Sequence, residues 1–267
     1  MASASPPAKL EVEGLVIGFG ETIIQHDVSF RVEAGSVFAI MGGSGSGKST
    51  LLKALIGLVR PTQGSIRIED EDYWAATEAR RAEIAQGLGV LFQSGALWSS
   101  MTVAQNVALP LRMLSHLDEA SIGLLCEVKL SLVGLATAGE LMPAALSGGM
   151  LKRAGLARAL SLDPAILMLD EPSSGLDPIT AKRLDDLILE LRDGFGMTIV
   201  LVSHDLPSLF AICDDGIFLD GDSKTAIAHG APSRLRDECD HPTVHAFMRR
   251  ERPDADHADP GAPHESR

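Results

Sequence analysis

Two kinds of hydrophobic pattern follow one another along the chain. Over residues 10–34 apolar and polar positions alternate: Val28, Phe30 and Val32 fall on one side, and Ser29, Arg31 and Glu33 on the other. Ile66 and Ile68 alternate in the same way with Arg67 and Glu69. A period of two predicts strands with one buried and one wet face, as in an antiparallel sheet. Short unbroken apolar runs then occupy 37–41, 166–169 and 197–202, each followed by a helical pattern. Such runs suit parallel strands covered on both faces. Leu184, Leu187, Ile188 and Leu191 recur at helical spacing between the last two runs. Residues 95–146 are mostly helical in pattern, 216–232 returns to short strand-like pieces, and 232–250 is helical again. The expectation is an α/β core with an antiparallel N-terminal part and a helical insert.

Composition narrows the picture. A chain of 267 residues with 45% hydrophobic and 22% charged positions can bury its own core. Its 23 Lys and Arg against 36 Asp and Glu give a net charge of −13. That balance argues against nucleic acid as a partner and against attachment to anionic lipid by charge alone. Cys126, Cys213 and Cys239 are too scattered, and odd in number, for a disulfide framework or a zinc cluster, and fit a reducing compartment. No apolar run approaches the ~18 residues of a membrane span, and residues 1–20 lack the apolar stretch of a signal peptide. A role at a membrane would need something else to hold the chain there. We expect a flexible N-terminus over 1–8, one domain over 9–240 with the helical insert at about 95–160, a C-terminal extension over 241–252, and a disordered Pro- and Asp-rich tail over 253–267.

Four segments carry chemistry. Gly42-Gly43-Ser44-Gly45-Ser46-Gly47-Lys48-Ser49-Thr50 follows an apolar run and precedes the apolar helix face of Leu51, Leu52, Leu55 and Ile56. It matches the phosphate-loop pattern, in which glycines let backbone N–H groups turn toward phosphate oxygens at a helix N-terminus. Lys48 would hold the β- and γ-phosphates and Ser49 would ligate Mg2+. The run 166–169 ends in Asp170 and Glu171, two acids at the carboxyl edge of a buried strand. Asp170 can hold Mg2+ through water, and Glu171 can polarise an attacking water. In Leu146-Ser147-Gly148-Gly149-Met150, Ser147 suits a helix N-cap. Two glycines at a helix start cost ~1 kcal/mol each relative to Ala, so an approaching anion is expected to need that bare backbone. Fourth, His204 follows the third apolar run and would reach the same sheet edge.

In this order the motifs resemble the ATP-binding subunit of ABC transporters, over roughly 10–220. The resemblance implies a P-loop NTPase core with an antiparallel β subdomain and an inserted α-helical subdomain, using ATP and Mg2+. It adds Gln93 as the Q-loop residue, joining Ser49 and Asp170 at the metal and Glu171 and His204 in catalysis. It adds Ser174-Gly175-Leu176-Asp177 as the loop that connects two copies of the chain. It places Phe19 where the family stacks an aromatic, more often Tyr, on adenine. Two copies would meet head to tail, with Ser147, Gly148, Gly149 and Asp177 serving nucleotide across the interface. One departure stands out: Met150 occupies a position where Gln is usual.

The wording of Gln93-Ser94-Gly95-Ala96-Leu97, of Ser147-Gly148-Gly149-Met150 and of Asp177-Pro178-Ile179-Thr180 resembles the ATPases of MCE-linked lipid transporters, such as the Mla phospholipid systems. That resemblance implies an MlaE-type permease, an MCE-domain protein, sometimes a small STAS-domain subunit, and a peripheral place on the cytoplasmic face of the inner membrane. A small-solute importer remains an alternative. A non-transport ABC ATPase would want coiled-coil insertions, zinc cysteines, tandem cassettes or basic patches, and none is visible. Leu97, Trp98 and Met101 either receive a permease helix or fill the subdomain core. Val244, Phe247 and Met248, at helical spacing, form an apolar face that can pack on a neighbour, and the resemblance implies a C-terminal extension there that can contact the partner chain.

Overall fold

The computed structural model describes residues 8–250. The expected flexible terminus, except for Ala8, and the expected tail lie outside the described residues. Strands β1 (Ala8–Phe19) and β2 (Thr22–Glu33) form a long antiparallel hairpin, followed by β3 (Val37–Gly42) and helix α1 (Lys48–Leu55). The antiparallel β4 (Gln63–Ile68) and β5 (Glu71–Asp72) lead to α2 (Glu78–Gln86) and β6 (Leu88–Leu91). Helices α3 (Val103–Leu114), α4 (Glu119–Leu132) and α5 (Gly148–Ala159) form the insert. The chain then runs through β7 (Ile166–Asp170), α6 (Pro178–Phe195), β8 (Thr198–Val202), α7 (Leu206–Ile212), β9 (Asp215–Leu219) and β10 (Ala226–His229). Two short helices, α8 (Pro232–Glu238) and α9 (Pro242–Arg249), close the described chain.

These strands make two sheets. One is antiparallel, in the order β2-β1-β4-β5, and the other runs β10-β9-β3-β8-β7-β6. In the second, β9, β3, β8, β7 and β6 are parallel and β10 is antiparallel at the edge. Both faces of β3 are used. Val37, Ala39 and Met41 join the helical core, while Phe38 and Ile40 pack with Val28, Phe30 and α1 on the side of the antiparallel sheet. The unbroken apolar run reflects this double burial. Among the described residues no helix is long and apolar enough to cross a membrane.

Two elements escaped the pattern reading. Helix α2 has no buried residue, so it carries no apolar stripe to read, though Thr77 caps it. Strand β6 is four residues long and interrupted by Gly89, where a Cβ would lie 2.5 Å from the carbonyl oxygen of Ala159. It is nevertheless the parallel edge strand beside β7, and it delivers Gln93 to the sheet's carboxyl edge.

The C-terminal helix corrects another expectation. Val244 and Met248 are buried in the chain's own core, and the Phe247 ring meets Phe218 of β9 edge-on, with centroids 5.0 Å apart. The three apolar residues fold back on β9 instead of facing a neighbouring chain, because α8 and α9 pack on each other beside that strand.

In the insert, the alternatives for three residues separate. Leu97 packs against the core and Met101 is half-buried, but Trp98 is 60% exposed. The loop that presents Trp98 is held from below by the fully buried Asn106. Its Oδ1 accepts from the Trp98 N–H at 2.7 Å, and its Nδ2 donates to the carbonyls of Thr102 at 2.9 Å and Trp98 at 3.1 Å.

Candidate active site

Strand β3 ends in the glycine-rich loop, which turns into α1. Gly42 sits at φ 145°, and a Cβ there would lie 2.3 Å from the carbonyl oxygen of Leu219. Gly47, the N-cap of α1, sits at φ 85°, with a Cβ position 2.9 Å from Ile24 Cγ2. Both positions combine a left-handed backbone with a close neighbour, so only glycine fits. The loop is also pinned from the other sheet. Gln25 of β2 is fully buried and donates through Nε2 to the carbonyls of Ser46 at 2.7 Å and Asp220 at 3.0 Å. Lys48 folds over its own loop and donates to the carbonyls of Gly42 at 2.8 Å and Gly43 at 2.7 Å. Burial holds its ammonium below the usual lysine range, with Glu171 and Asp170 pulling the other way.

Strand β7 carries the two acids to the same edge. Burial pushes the Asp170 carboxyl up, Glu171 adds to the rise, and Lys53, Lys152 and Lys48 oppose it. Glu171 adopts a positive φ of 50°, a conformation that costs a non-glycine residue about 1–2 kcal/mol. Its N–H donates to the carbonyl of Val202 at 2.8 Å, which fixes the turn. Its Oε1 lies 2.7 Å from His204 Nδ1. A carboxylate only accepts, so this bond needs the proton on Nδ1 and leaves Nε2 for a ligand. Asp170 Oδ1, Glu171 Oε2 and Ser173 Oγ are buried with no hydrogen-bond partner among the described residues. Buried acceptors left unmatched are costly, so this cluster fits a site completed by a cation or a water.

A cavity of about 620 Å³ joins these parts. Gly42, Gly43, Ser44, Gly45, Lys48, Ser49, Gln93, Glu171 and His204 line it together. Its far wall is Leu206 with Ala246, Phe247 and Arg250 of the C-terminal segment, which the motif reading did not include. Ser46 is buried beneath the loop and Thr50 is half-buried on α1. Phe19 is 57% exposed at the end of β1 and does not line the cavity.

The residues 147–149 lie elsewhere. Ser147 caps α5, its Oγ accepting from the Met150 N–H at 3.3 Å. Ser147 and Gly149 line a second cavity of about 480 Å³ with Met150, Leu176 and Thr180. Gly149 is buried, and a Cβ there would stand 2.5 Å from Thr180 Cγ2. An intramolecular contact therefore gives position 149 its own reason to be glycine, in addition to the anion expected near it. Gly148 is exposed, and its nearest side-chain atom, Leu176 Cδ2, is 3.7 Å from a Cβ position. Met150 packs half-buried against the helical core, which accounts for an apolar residue there. Asp177 caps α6, its Oδ1 accepting from the N–H groups of Ile179 and Thr180 at 3.1 Å each, and it lines neither cavity.

Two residues that shape the site were missed in the sequence. Gln25 had no readable signal. Leu15 pairs with Val28 but Ile17 pairs with Gln25, so three steps on β2 match two on β1. This bulge, with Asp27 at φ 50°, shifts the strand's phase and turns Gln25 inward. Lys152 did leave a signal. It is a charge three residues after Gly149 and four before Leu156, on the buried face of α5.

A sequence profile described as ABC transporter matches residues 25–174. The chain is 40% identical over 226 residues to the intermembrane phospholipid transport system ATP-binding protein MlaF of Haemophilus influenzae, covering 85% of each protein. It is 42% identical over 229 residues to MlaF of Escherichia coli, covering 86% of this chain and 84% of the relative. A probable ribonucleotide transport ATP-binding protein, mkl, of Mycobacterium bovis is 45% identical over 197 residues, or 74% of this chain and 55% of that protein. Among solved structures, a Clostridium perfringens protein described as part of the ABC transporter complex cbiONQ superposes with a TM-score of 0.79 at 27% identity, covering 86% of this chain and 91% of that one. An ATP-binding cassette solved as a dimer in a post-hydrolysis state with ADP and Pi gives 0.74 at 27% identity, covering 82% and 97%.

Proposed function

The chain belongs to the ABC transporter family, and from that premise we propose that it hydrolyses ATP to drive phospholipid movement through a separate membrane permease. The observation that carries this reading is the shared cavity. Lys48 on its glycine loop and the Glu171–His204 pair face one space at the carboxyl edge of the parallel sheet. The match to phospholipid-transport ATPases over about 85% of both chains supplies the substrate class.

The chemistry follows from the contacts. Entering phosphates would replace the Gly42 and Gly43 carbonyls as acceptors for Lys48, while the N-terminus of α1 adds backbone N–H groups. Ser49, Asp170 and Gln93 would hold Mg2+, whose charge offsets that of the β- and γ-phosphates. The unmatched Asp170 Oδ1 fits that role. Glu171 Oε2 is free to orient the attacking water, and His204 holds the carboxylate by its other oxygen. Ser147 and Lys48 line different cavities. A head-to-tail pair would bring Ser147 of one chain to the ATP of the other, as the dimeric cassette at 27% identity supports. ATP that binds the closed pair more tightly than the open one then shifts the population toward closure.

In this reading the chain sits peripherally on the cytoplasmic face of the inner membrane, under an MlaE-type permease, with an MCE-domain protein in the same assembly and, as in some such systems, a small STAS-domain subunit. The mycobacterial relative named for ribonucleotide transport favours a small-solute reading. The phospholipid relatives are matched over more of their length, so we prefer the lipid. The test compares ATP turnover and ATP-dependent dimerisation in wild type, Lys48→Ala and Glu171→Gln. Lys48→Ala should lose both, and Glu171→Gln should bind ATP and stay dimeric. Normal turnover in Glu171→Gln would remove its assigned role. A reconstituted complex stimulated by a soluble solute and not by phospholipid would overturn the substrate class.

A further inference from the structure

Helix α5 holds the loop after β6 at three points. Arg158 donates to the carbonyls of Ala96 at 2.6 Å and Gly95 at 3.0 Å. Lys152, 6% exposed, donates to the carbonyl of Gln93. Gly155 packs so closely that a Cβ would lie 3.0 Å from the Gly95 carbonyl oxygen. Loop and helix therefore form one unit. The ammonium of Lys152 also donates to the carbonyl of Glu171 at 2.9 Å, in a buried bond. Gln93 and Glu171 follow neighbouring parallel strands, so one side chain ties together the two residues that face the phosphates from β6 and β7. The same helix begins at Ser147.

We propose that Lys152 is a positioning residue for ATP hydrolysis: by bridging the Gln93 and Glu171 carbonyls it sets the Glu171 carboxylate against the cavity and couples both residues to the Ser147 end of α5. The reason for a lysine lies in geometry. Two carbonyls converge on one buried point, and an ammonium offers donors to both at once. Arg158 anchors the loop without touching Glu171, so the two cations divide the work: Arg158 fixes the loop, and Lys152 fixes the loop to the glutamate. Movement of the loop after β6 is thereby passed both to the carboxylate of its own site and, through α5, to Ser147 at the partner's site. The inference deepens the proposed ATPase reading and rests on it.

The experiment measures affinity for a non-hydrolysable ATP analogue, kcat and thermal unfolding in full-length wild type, Lys152→Met, Lys152→Gln and Lys152→Arg. Misplacement of a catalytic carboxylate by a fraction of an ångström lowers kcat about ten-fold or more. That loss is expected in Lys152→Met, with analogue affinity within about three-fold of wild type by the same reasoning, since no phosphate contact is removed. Lys152→Arg, which can reach both carbonyls, should recover most of kcat, and the shorter Lys152→Gln should fall between. Wild-type kcat in Lys152→Met, or an equal loss of affinity, kcat and stability across the series, would overturn the proposal. If Lys152→Met does not fold, Lys152→Gln decides by the same two criteria. A wild-type protein that neither binds nor hydrolyses ATP would sink the ATPase reading itself, before any variant is considered.

Discussion

The methyl group of Thr180 stands 2.5 Å from where a Cβ on Gly149 would lie, so α6 closes over the start of α5 at a point that only glycine leaves open. Thr180 is itself fixed, because its N–H donates to Asp177 Oδ1 at 3.1 Å. Gly149→Ala should therefore destabilise the chain by about 1–3 kcal/mol in spite of alanine's higher helix propensity. Adding Thr180→Ser, which removes the offending methyl, should restore most of that loss. Gly148→Ala meets no such obstacle. It should leave urea unfolding unchanged or raise its midpoint, yet lower ATP turnover where the partner's phosphate needs the bare backbone. Full turnover in Gly148→Ala would remove that use of the glycine.

The pairing of sites across a dimer is checked by mixing two damaged chains, Lys48→Ala and Ser147→Arg. In the mixed dimer both lesions fall on one composite site, and the other is built from intact parts. Binding of about one ATP per mixed dimer is expected, measured by equilibrium dialysis after separating the hybrid by two affinity tags. No binding would place Ser147 and Lys48 at the same site of one chain.

Trp98 is exposed while the loop beneath it is held by Asn106, so presentation and support can be separated. Trp98→Ala should unfold like wild type but retain less permease in co-purification. Asn106→Ala strips the partner from buried backbone groups and should cost about 2–3 kcal/mol. A Trp98→Ala protein that unfolds early would return this residue to the core.

Two carboxylates compete for one hydroxyl on α7. Ser208 Oγ lies 2.9 Å from Asp185 Oδ2 and 2.9 Å from Asp205 Oδ2, and one hydroxyl hydrogen cannot serve both. Burial pushes the Asp185 carboxyl up to about 6, with Asp205 and Asp186 adding to the rise and Ser208 and Lys182 opposing it. Arg250 lies 4.0 Å from Asp205 on the cavity side. A carboxyl raised in the folded state binds its proton more tightly there than when unfolded. Stability is then full below the ordinary carboxylate range and falls as pH rises through about 6. Asp185→Asn should exceed wild type by about 1–2 kcal/mol at pH 8, a figure reduced for water reaching the Asp205 side. The gap should close toward pH 4 in urea unfolding. A gap independent of pH would mean that Asp185 is not the titrating group.

The C-terminal helix offers the fifth test. Truncation after Arg252 should leave unfolding and ATP affinity unchanged. Truncation after Asp240 removes the buried Val244 and Met248 and should cost about 3–5 kcal/mol. It also takes away the Ala246, Phe247 and Arg250 wall of the cavity, so ATP affinity should fall with stability. Equal behaviour of the two truncations would contradict the packing of α9 on β9.

The parts legible in the sequence were those in which one local rule acted alone. The strands before Gly42, Asp170 and Ser203 read as apolar runs because both their faces are covered. The phosphate loop read directly, since its glycines, Lys48 and Ser49 are contiguous. Strand β6 was hidden by its length and by Gly89, whose reason is the nearby backbone of α5. Gly149 was legible as unusual, but its neighbour Thr180 is 31 residues away in sequence and is brought over it only by tertiary packing. The inward turn of Val244, Phe247 and Met248 was ambiguous for a similar reason: helical spacing marks an apolar face without naming what covers it.

The bulge at Asp27 decides which functional group lies under the phosphate loop. Strict alternation upstream of Val28 would have put the imidazole of His26 where the amide of Gln25 now clasps the carbonyls of Ser46 and Asp220. An imidazole would tighten or release that grip as it gained or lost a proton near neutrality, whereas an amide holds with the same strength at any pH at which the chain is folded. The extra residue in β2 thus makes this one clasp beneath the phosphate loop indifferent to acidity and leaves any proton dependence of the site to its titratable groups.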